Sequence, residues 1–345
     1  MSESPRRWST RRRIIIGLAV VLGVGVVYLG LAGFQAFLAW HSIDRVEFDT
    51  EAARVALVTI PTSTMAVESE DSSTPPSTQD PNPILQQTEY QAFLVIGSDE
   101  KPPELQEGIF ADAVLLYLAP TTGDPILVSL PRDLLVTNPC TSSPVKLNSL
   151  LAGCDDAANG PELIAIAVEN LTGIAVDHFG VVEFEGLVRA VDEIGGIELC
   201  SENALRGDDA AGLLPEGCSR IDGSTALRYV RSRTTQEFVD GEWIYQEGTS
   251  DLTRAERQQD VLLAMLSQAK SVRSPDALAD LISKLSDAVV LDDGLSMGNA
   301  VDLAWELRGT PPEQIRRLVL PVEPVVTEDG QFALRATTPF LDVIA

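Results

Sequence analysis

FLVIG (93–97), AVLLYLA (113–119) and ILVSLP (126–131) are the segments that decide the fold. Each is a short apolar run bounded by turn residues. A strand with one wet face would alternate apolar and polar residues, so unbroken runs predict strands covered on both sides. Outward from them, PELIAIAVENLTG (161–173) has Pro in its first turn, apolar residues at helical spacing and a stop at Gly173. That is a helix with both ends marked. FGVVEF (179–184) predicts another strand, and EGLVRAVDEI before Gly195-Gly196 a second helix. ALRYVRSR (226–233) looks extended, and DLTRAERQQDVLLAMLSQAK (251–270) is a strongly amphipathic helix. Strands interleaved with helices predict an α/β fold, a layered α-β-α sandwich around a central mixed β-sheet. There is no internal repeat and no Gly-rich phosphate loop.

The N-terminal segment is of another kind. Ile14 to Trp40 is free of charge, with Gln35 its one strongly polar side chain. A bilayer core of about 30 Å needs about 20 such residues, so 14–40 is expected to be a transmembrane helix. Arg6, Arg7, Arg11, Arg12 and Arg13 precede it and an acidic chain follows. By the positive-inside rule, 1–13 is a basic cytoplasmic tail and the remainder is outside, in a single-pass membrane protein. The alternative is a cleaved signal peptide, whose apolar region usually runs about 7–15 residues. Residues 41–61 are expected to form a short stalk. Residues 62–89, rich in Ser, Thr, Pro and acids, are expected to be a flexible linker that holds a globular domain, 90–345, away from the bilayer.

The 345 residues carry 25 Lys+Arg against 51 Asp+Glu, a net charge of −26. With 45% hydrophobic residues the chain can bury a core. Its acidity argues against a nucleic-acid partner, which needs a basic footprint. Beyond residue 40 the balance is 20 basic to 50 acidic, or −30. Cys140, Cys154, Cys200 and Cys218 all fall on the expected outer side, where disulfides form. Of the three possible pairings, sequence proximity favours Cys140–Cys154 with Cys200–Cys218. Zinc is the rival, but there is no CxxC, and His41 and His178 are distant in sequence.

Against that acidic background Arg228, Arg231, Arg233, Arg254 and Arg257 fall close together. On an extended 226–233, Arg231 and Arg233 share a face. On the following helix, Arg254, Arg257 and Gln258 stand at i, i+3 and i+4, again one face. Guanidinium forks match phosphate oxygens bidentately, so two such faces meeting would bind a phosphate or pyrophosphate. The bland alternative pairs these arginines with acids on a solvated surface. Asp99 ends the first strand in IGSD, Asp112 opens the second, and Asp133 follows the third in LPRD. If the first two strands are antiparallel neighbours, Asp99 and Asp112 come together, and two carboxylates facing a pyrophosphate suit Mg²⁺. No Ser/His/Asp triad is evident, and His178 is expected to be structural.

The ordered set IGSD (96–99), D-x-V-L-L (112–116), SLPRD (129–133), KLN (146–148), FEGLVRAVDEIGGIEL (184–199), G-x-x-ALRYVRSR (223–233) and DLTRAERQQ (251–259), after an anchor, resembles the LytR–CpsA–Psr (LCP) family. The resemblance covers about residues 90–270. It implies an extracytoplasmic, Mg²⁺-dependent phosphotransferase of bacterial cell-wall assembly. Such a protein moves an anionic glycopolymer from an undecaprenyl-pyrophosphate carrier onto a peptidoglycan hydroxyl, with the polyprenyl tail in an apolar channel of the core. It assigns Arg132, Lys146, Arg231, Arg233, Arg254 and Gln258 to the pyrophosphate, Asp99 and Asp112 to the metal, and Asp99, Asp112 and Arg132 to catalysis. The chain departs from the family where an Arg-Ser-Asp-Thr motif is replaced by Phe110-Ala111-Asp112-Ala113. Two rival outcomes are hydrolysis of the lipid pyrophosphate and non-catalytic binding. The insert TTQEFVDGEWIYQEGTS (234–250) is expected to form a lid or to contact the acceptor.

Overall fold

The computed structural model describes residues 31–59, 90–99, 109–154, 157–207, 212–246, 250–270, 274–327 and 330–345. A helix runs through 31–41 (α1), followed by β1 (Asp44–Val46) and α2 (Thr50–Thr59). Next come β2 (Tyr90–Ser98), β3 (Ala111–Pro120), β4 (Ile126–Leu130), β5 (Leu135–Thr137), β6 (Pro144–Lys146), α3 (Gly160–Thr172), β7 (His178–Glu183) and α4 (Phe184–Glu193). A smaller region holds β8 (Ile197–Ser201), β9 (Leu205–Arg206), β10 (Gly212–Leu214), β11 (Gly217–Ile221), α5 (Gly223–Arg231), β12 (Gln236–Val239) and β13 (Glu242–Tyr245). The chain closes with α6 (Ser250–Ala269), α7 (Pro275–Leu285), β14 (Val289–Asp292), α8 (Met297–Gly309), β15 (Arg316–Val319), β16 (Val322–Val326), β17 (Phe332–Ala336) and α9 (Phe340–Ile344).

The central sheet has seven strands in the order β1-β14-β7-β2-β3-β4-β15. It is mixed: β2 pairs antiparallel with β3 and parallel with β7. The three runs that predicted two-sided burial are its middle. Leu94, Ile96, Val114, Leu116, Leu118 and Val128 pack on one face with Leu163, Ile164, Ala167 and Val168 of α3. The alternate residues Phe93, Leu115, Tyr117 and Leu127 pack on the other with Leu263 of α6, Leu295 and Ile315. This is the expected α-β-α sandwich. Truncating a side chain such as Leu116 to Ala would cost about 2–5 kcal/mol.

α3 forms where its signals lie. Asn159 accepts from the Glu162 amide while the Glu162 side chain accepts from the Asn159 amide, a reciprocal cap, and Gly173 ends the helix in left-handed conformation. His178 Nδ1 lies 2.9 Å from Oδ1 of the fully buried Asp292, tying β7 to β14. His178 is structural, as expected. Cys140–Cys154 and Cys200–Cys218 are the disulfides, the pairing that proximity favoured.

Of the expected stalk, 41–61, the described part, 41–59, packs on the domain. β1 adds an edge strand parallel to β14, and α2 buries Ala53 and Leu57 in the α3 core. Arg54 of α2 pairs with Glu169 of α3 at 2.9 Å. The sequence between Trp40 and Pro61 holds enough apolar residues at helical and strand spacing to join the domain. Residues 60–89, which include the expected linker 62–89, lie outside the described residues. Residues 1–13 and most of the expected span, 14–30, also lie outside the described residues. Among those described, no helix is long and apolar enough to cross a membrane.

Candidate functional site

The site begins at an irregularity in the β2–β3 ladder. Gly97 pairs with Ala113 and Ser98 with Ala111, so Asp112 is one residue too many on its strand. A bulge of this kind re-aims the side chain it carries. The strands approach so closely here that a Cβ on Gly97 would lie 3.1 Å from the Ala113 Cβ, a tight contact that favours the glycine in IGSD. The β2–β3 pairing is antiparallel, as the joint use of Asp99 and Asp112 required. Asp99 follows Ser98 at the exposed strand end, and Asp112 sits beside Ser98's partner.

Asp112 is the hub. Its Oδ1 accepts from Arg132 Nη1 at 2.5 Å, and its carbonyl accepts from Gln258 Nε2 at 3.3 Å. Arg132 also stands 3.7 Å from Asp133, which binds Lys146 Nζ at 3.0 Å. Asp133 therefore orients both cations. The KLN segment fixes this corner through its backbone, with the Leu147 amide on the Leu134 carbonyl and the Asn148 amide on the Arg132 carbonyl.

A cavity of about 200 Å³ opens beside Asp112, lined by Phe184, Val230, Arg231, Arg233, Arg254 and Gln258. The arginines arrive there by a route the sequence did not indicate. Residues 226–233 are not a strand: α5 runs from Gly223 to Arg231. Asp222 caps it by accepting from the Thr225 amide, and Ala226, Tyr229 and Val230 form its buried face at helical spacing. That cap lies upstream of the window read as extended. Arg231 is the last helical residue, its guanidinium 4.8 Å above the Phe184 ring. Arg233 follows just past the C-cap. Phe184, the first residue of α4, opens the FEGLVRAVDEIGGIEL segment but was not foreseen as a site residue.

α6 divides its motif between two jobs. Arg254 and Gln258 line the cavity. Arg257 does not join them: its Nε donates to the Tyr229 carbonyl at 3.0 Å, Nη1 to Gln246 Oε1 at 3.3 Å and Nη2 to the Ser232 carbonyl. Burial pulls the Arg257 guanidinium below its ordinary pKa; Tyr229 opposes that shift and Arg254 adds to it. Burial, then Asp260, pushes the Tyr229 phenol up, so it stays neutral and donates to Asp260 at 3.0 Å. Gln259 pins the helix to the sheet by donating to Ser129 Oγ at 2.8 Å and the Leu318 carbonyl at 2.7 Å.

A larger groove of about 860 Å³ adjoins Asp133 and Lys146, walled by Phe110, Leu135, Val145, Val325 and Arg335 among others. Phe110 is 46% exposed and faces this groove. Six of the expected site residues thus form one connected unit: Arg132, Asp112, Gln258, Arg231, Arg233 and Arg254. Lys146 joins through Asp133, and Asp99 follows Ser98, whose partner Ala111 precedes Asp112. Among the described residues, no group of three or more His, Cys, Asp and Glu gathers as a metal site. Mg²⁺ needs only one or two carboxylates, with phosphate oxygens and water completing its shell. Asp112, re-aimed by the bulge, and the exposed Asp99 on the adjoining strand end fit that donor chemistry.

Comparison with known proteins gives a consistent picture. The model of the LytR_cpsA_psr family matches residues 56–343. The "Probable cell wall biosynthesis protein LcpB" of Corynebacterium glutamicum is 30% identical over 233 residues, 63% of this chain and 52% of that protein. The "Polyisoprenyl-teichoic acid--peptidoglycan teichoic acid transferase TagU" of Oceanobacillus iheyensis is 26% identical over 220 residues, 64% of each. The chain thus spans about half to two thirds of the length of these relatives. Among solved structures, the "LytR-Csp2A-Psr enzyme from Actinomyces oris" superposes with a TM-score of 0.59 at 21% identity, over 75% of this chain and 89% of that one. "TagT bound to LI-WTA" gives 0.52 at 19% identity, over 74% and 88%. The structures share the fold.

Proposed function

The chain belongs to the LytR_cpsA_psr family, and from that premise we propose that it is a cell-envelope phosphotransferase. Its donor is an anionic glycopolymer on a polyprenyl-pyrophosphate carrier, its acceptor a peptidoglycan hydroxyl, and its place the outer face of the bacterial cell membrane. The observation that carries this reading is the cavity in which Arg231, Arg233 and Arg254 converge with Gln258 around Asp112, in a chain otherwise strongly acidic. The names of the relatives, transferases of teichoic acid to peptidoglycan among them, point the same way.

The arginines hold the pyrophosphate and neutralise charge that develops on its oxygens. Arg231 is held against Phe184, and Arg132 is oriented by Asp133 and by Asp112, which itself lines the cavity. The acceptor oxygen attacks the glycopolymer-side phosphorus in line, one P–O bond forms, and polyprenyl phosphate leaves. The loose transition state asks little of a base, and the hydroxyl proton passes to solvent at the exposed strand end. Mg²⁺, held by Asp99 and Asp112, would supply further charge neutralisation on the phosphate oxygens. Phe110 faces the groove and leaves the cavity's own arginines in place. This supports donor binding despite the missing motif arginine.

The test is incubation of the full chain in detergent with a lipid-pyrophosphate-linked glycan, Mg²⁺ and peptidoglycan fragments. Glycan attached to the fragments is the expected product. Free glycan phosphate without attachment would make the protein a hydrolase, and binding without turnover a binding protein.

A further inference from the structure

The β12–β13 hairpin, formed by the insert after Arg233, lies outside the cavity and carries a row of exposed aromatic side chains. The register pairs Gln236 with Tyr245 and Phe238 with Trp243, which puts these four side chains on one face. Trp243 is 36% exposed, Phe238 43% and Tyr245 67%. The face is built rather than loose. The Phe238 and Trp243 rings lie 5.2 Å apart, and the Arg206 guanidinium sits 4.3 Å from the Trp243 ring centre. Arg206, paired with Gln236 across the sheet, donates from Nε to Gln236 Oε1 at 2.5 Å. Exposed apolar surface of this kind marks an interaction site.

Charge narrows the occupant. Glu237, Asp240 and Glu242 belong to the hairpin itself, and Glu202, Glu256 and Asp260 line a groove against its opposite face. These acids lie at the hairpin's turn and on the face behind the platform, and their field opposes the approach of a polyanion such as nucleic acid. Ring faces with an amide and a guanidinium at their edge suit a sugar, whose axial C–H bonds lie on the rings while its hydroxyl and acetamido groups take the hydrogen bonds. The platform also starts close to the transfer site. Gln236 is three residues beyond Arg233 of the cavity, no more than about 11 Å of extended chain.

We propose that the face formed by Gln236, Phe238, Trp243 and Tyr245 binds an uncharged acetamido-sugar strand and holds it beside the arginine cavity as the acceptor. The word acceptor rests on the transferase reading; the binding of a glycan does not. The experiment is calorimetric titration of the full chain in detergent with a β-1,4-linked N-acetylglucosamine hexamer. Saturable binding is expected, weakened at least tenfold by Trp243→Ala and by Tyr245→Ser. The second variant changes a side chain that projects into solvent, so it tests the site without challenging the fold. Arg231→Ala is expected to leave hexamer binding unchanged while it loses binding of the lipid pyrophosphate. Those separate losses distinguish failure of the donor reading from failure of the platform. The proposal is overturned if the hexamer does not bind, if both platform variants bind it as the wild type does, or if the face binds phosphatidylcholine vesicles instead.

Discussion

Arg254 and Arg257 stand one turn apart on α6 and are almost equally buried, at 5% and 4% exposure, yet their guanidinium groups turn to different neighbours. Arg254 opens onto the cavity beside Asp112. Arg257 spends its donors on the carbonyls of Tyr229 and Ser232 and on Gln246, locking the end of α5 to the residue that follows β13. The clamp side holds still what the cavity side uses, because Arg231 and Arg233 flank the Ser232 carbonyl that Arg257 grips. Residue type and burial alone do not separate a binding arginine from a structural one. What each guanidinium faces does.

That division predicts opposite signatures. Arg254→Ala and Arg231→Ala each remove charge-assisted hydrogen bonds to the donor, worth about 1.5–3 kcal/mol apiece, so donor binding and transfer fall about 10–150-fold. Arg231 is exposed, and its variant keeps the wild-type melting temperature. Arg257→Ala strands two carbonyls and costs about 2–4 kcal/mol of stability. In thermal melts this lowers Tm by about 2–4 °C per kcal/mol. A stable Arg257→Ala protein with normal melting but no donor binding would erase the distinction between the two sides.

Gln259→Leu removes the donors to Ser129 and Leu318 that pin α6 to the sheet. It is expected to cost about 1–3 kcal/mol in denaturant titrations. The smallest effect concerns Phe110→Arg, which restores a cation at the motif position. Added charge near the groove should tighten pyrophosphate binding about 1.5–5-fold, the gain of one partly solvated ion contact. No change in a binding titration would place Phe110 outside the donor's path.

The layered fold was legible because its signals are local. The runs 93–97, 113–119 and 126–131 became the central strands β2, β3 and β4, and the capped helix ending at Gly173 became α3. The cavity residues were legible as types and spacings. Their geometry was not: α5 was read as extended because its cap, Asp222, lies outside the window that holds the arginines. The roles of Arg257 and Gln259 depend on partners far away in sequence, which no spacing on α6 reveals. The same holds for Phe184 beneath Arg231, and for β1, whose place in the sheet is set by β14 across more than two hundred residues.

The most direct test is calorimetric binding of a short polyprenyl pyrophosphate to the full chain in detergent with Mg²⁺, for the wild type, Arg231→Ala, Arg254→Ala and the double variant. Saturable wild-type binding is expected, reduced about 10–150-fold by each single change and abolished by the double. Equal binding by all four proteins would contradict a pyrophosphate site built on these arginines.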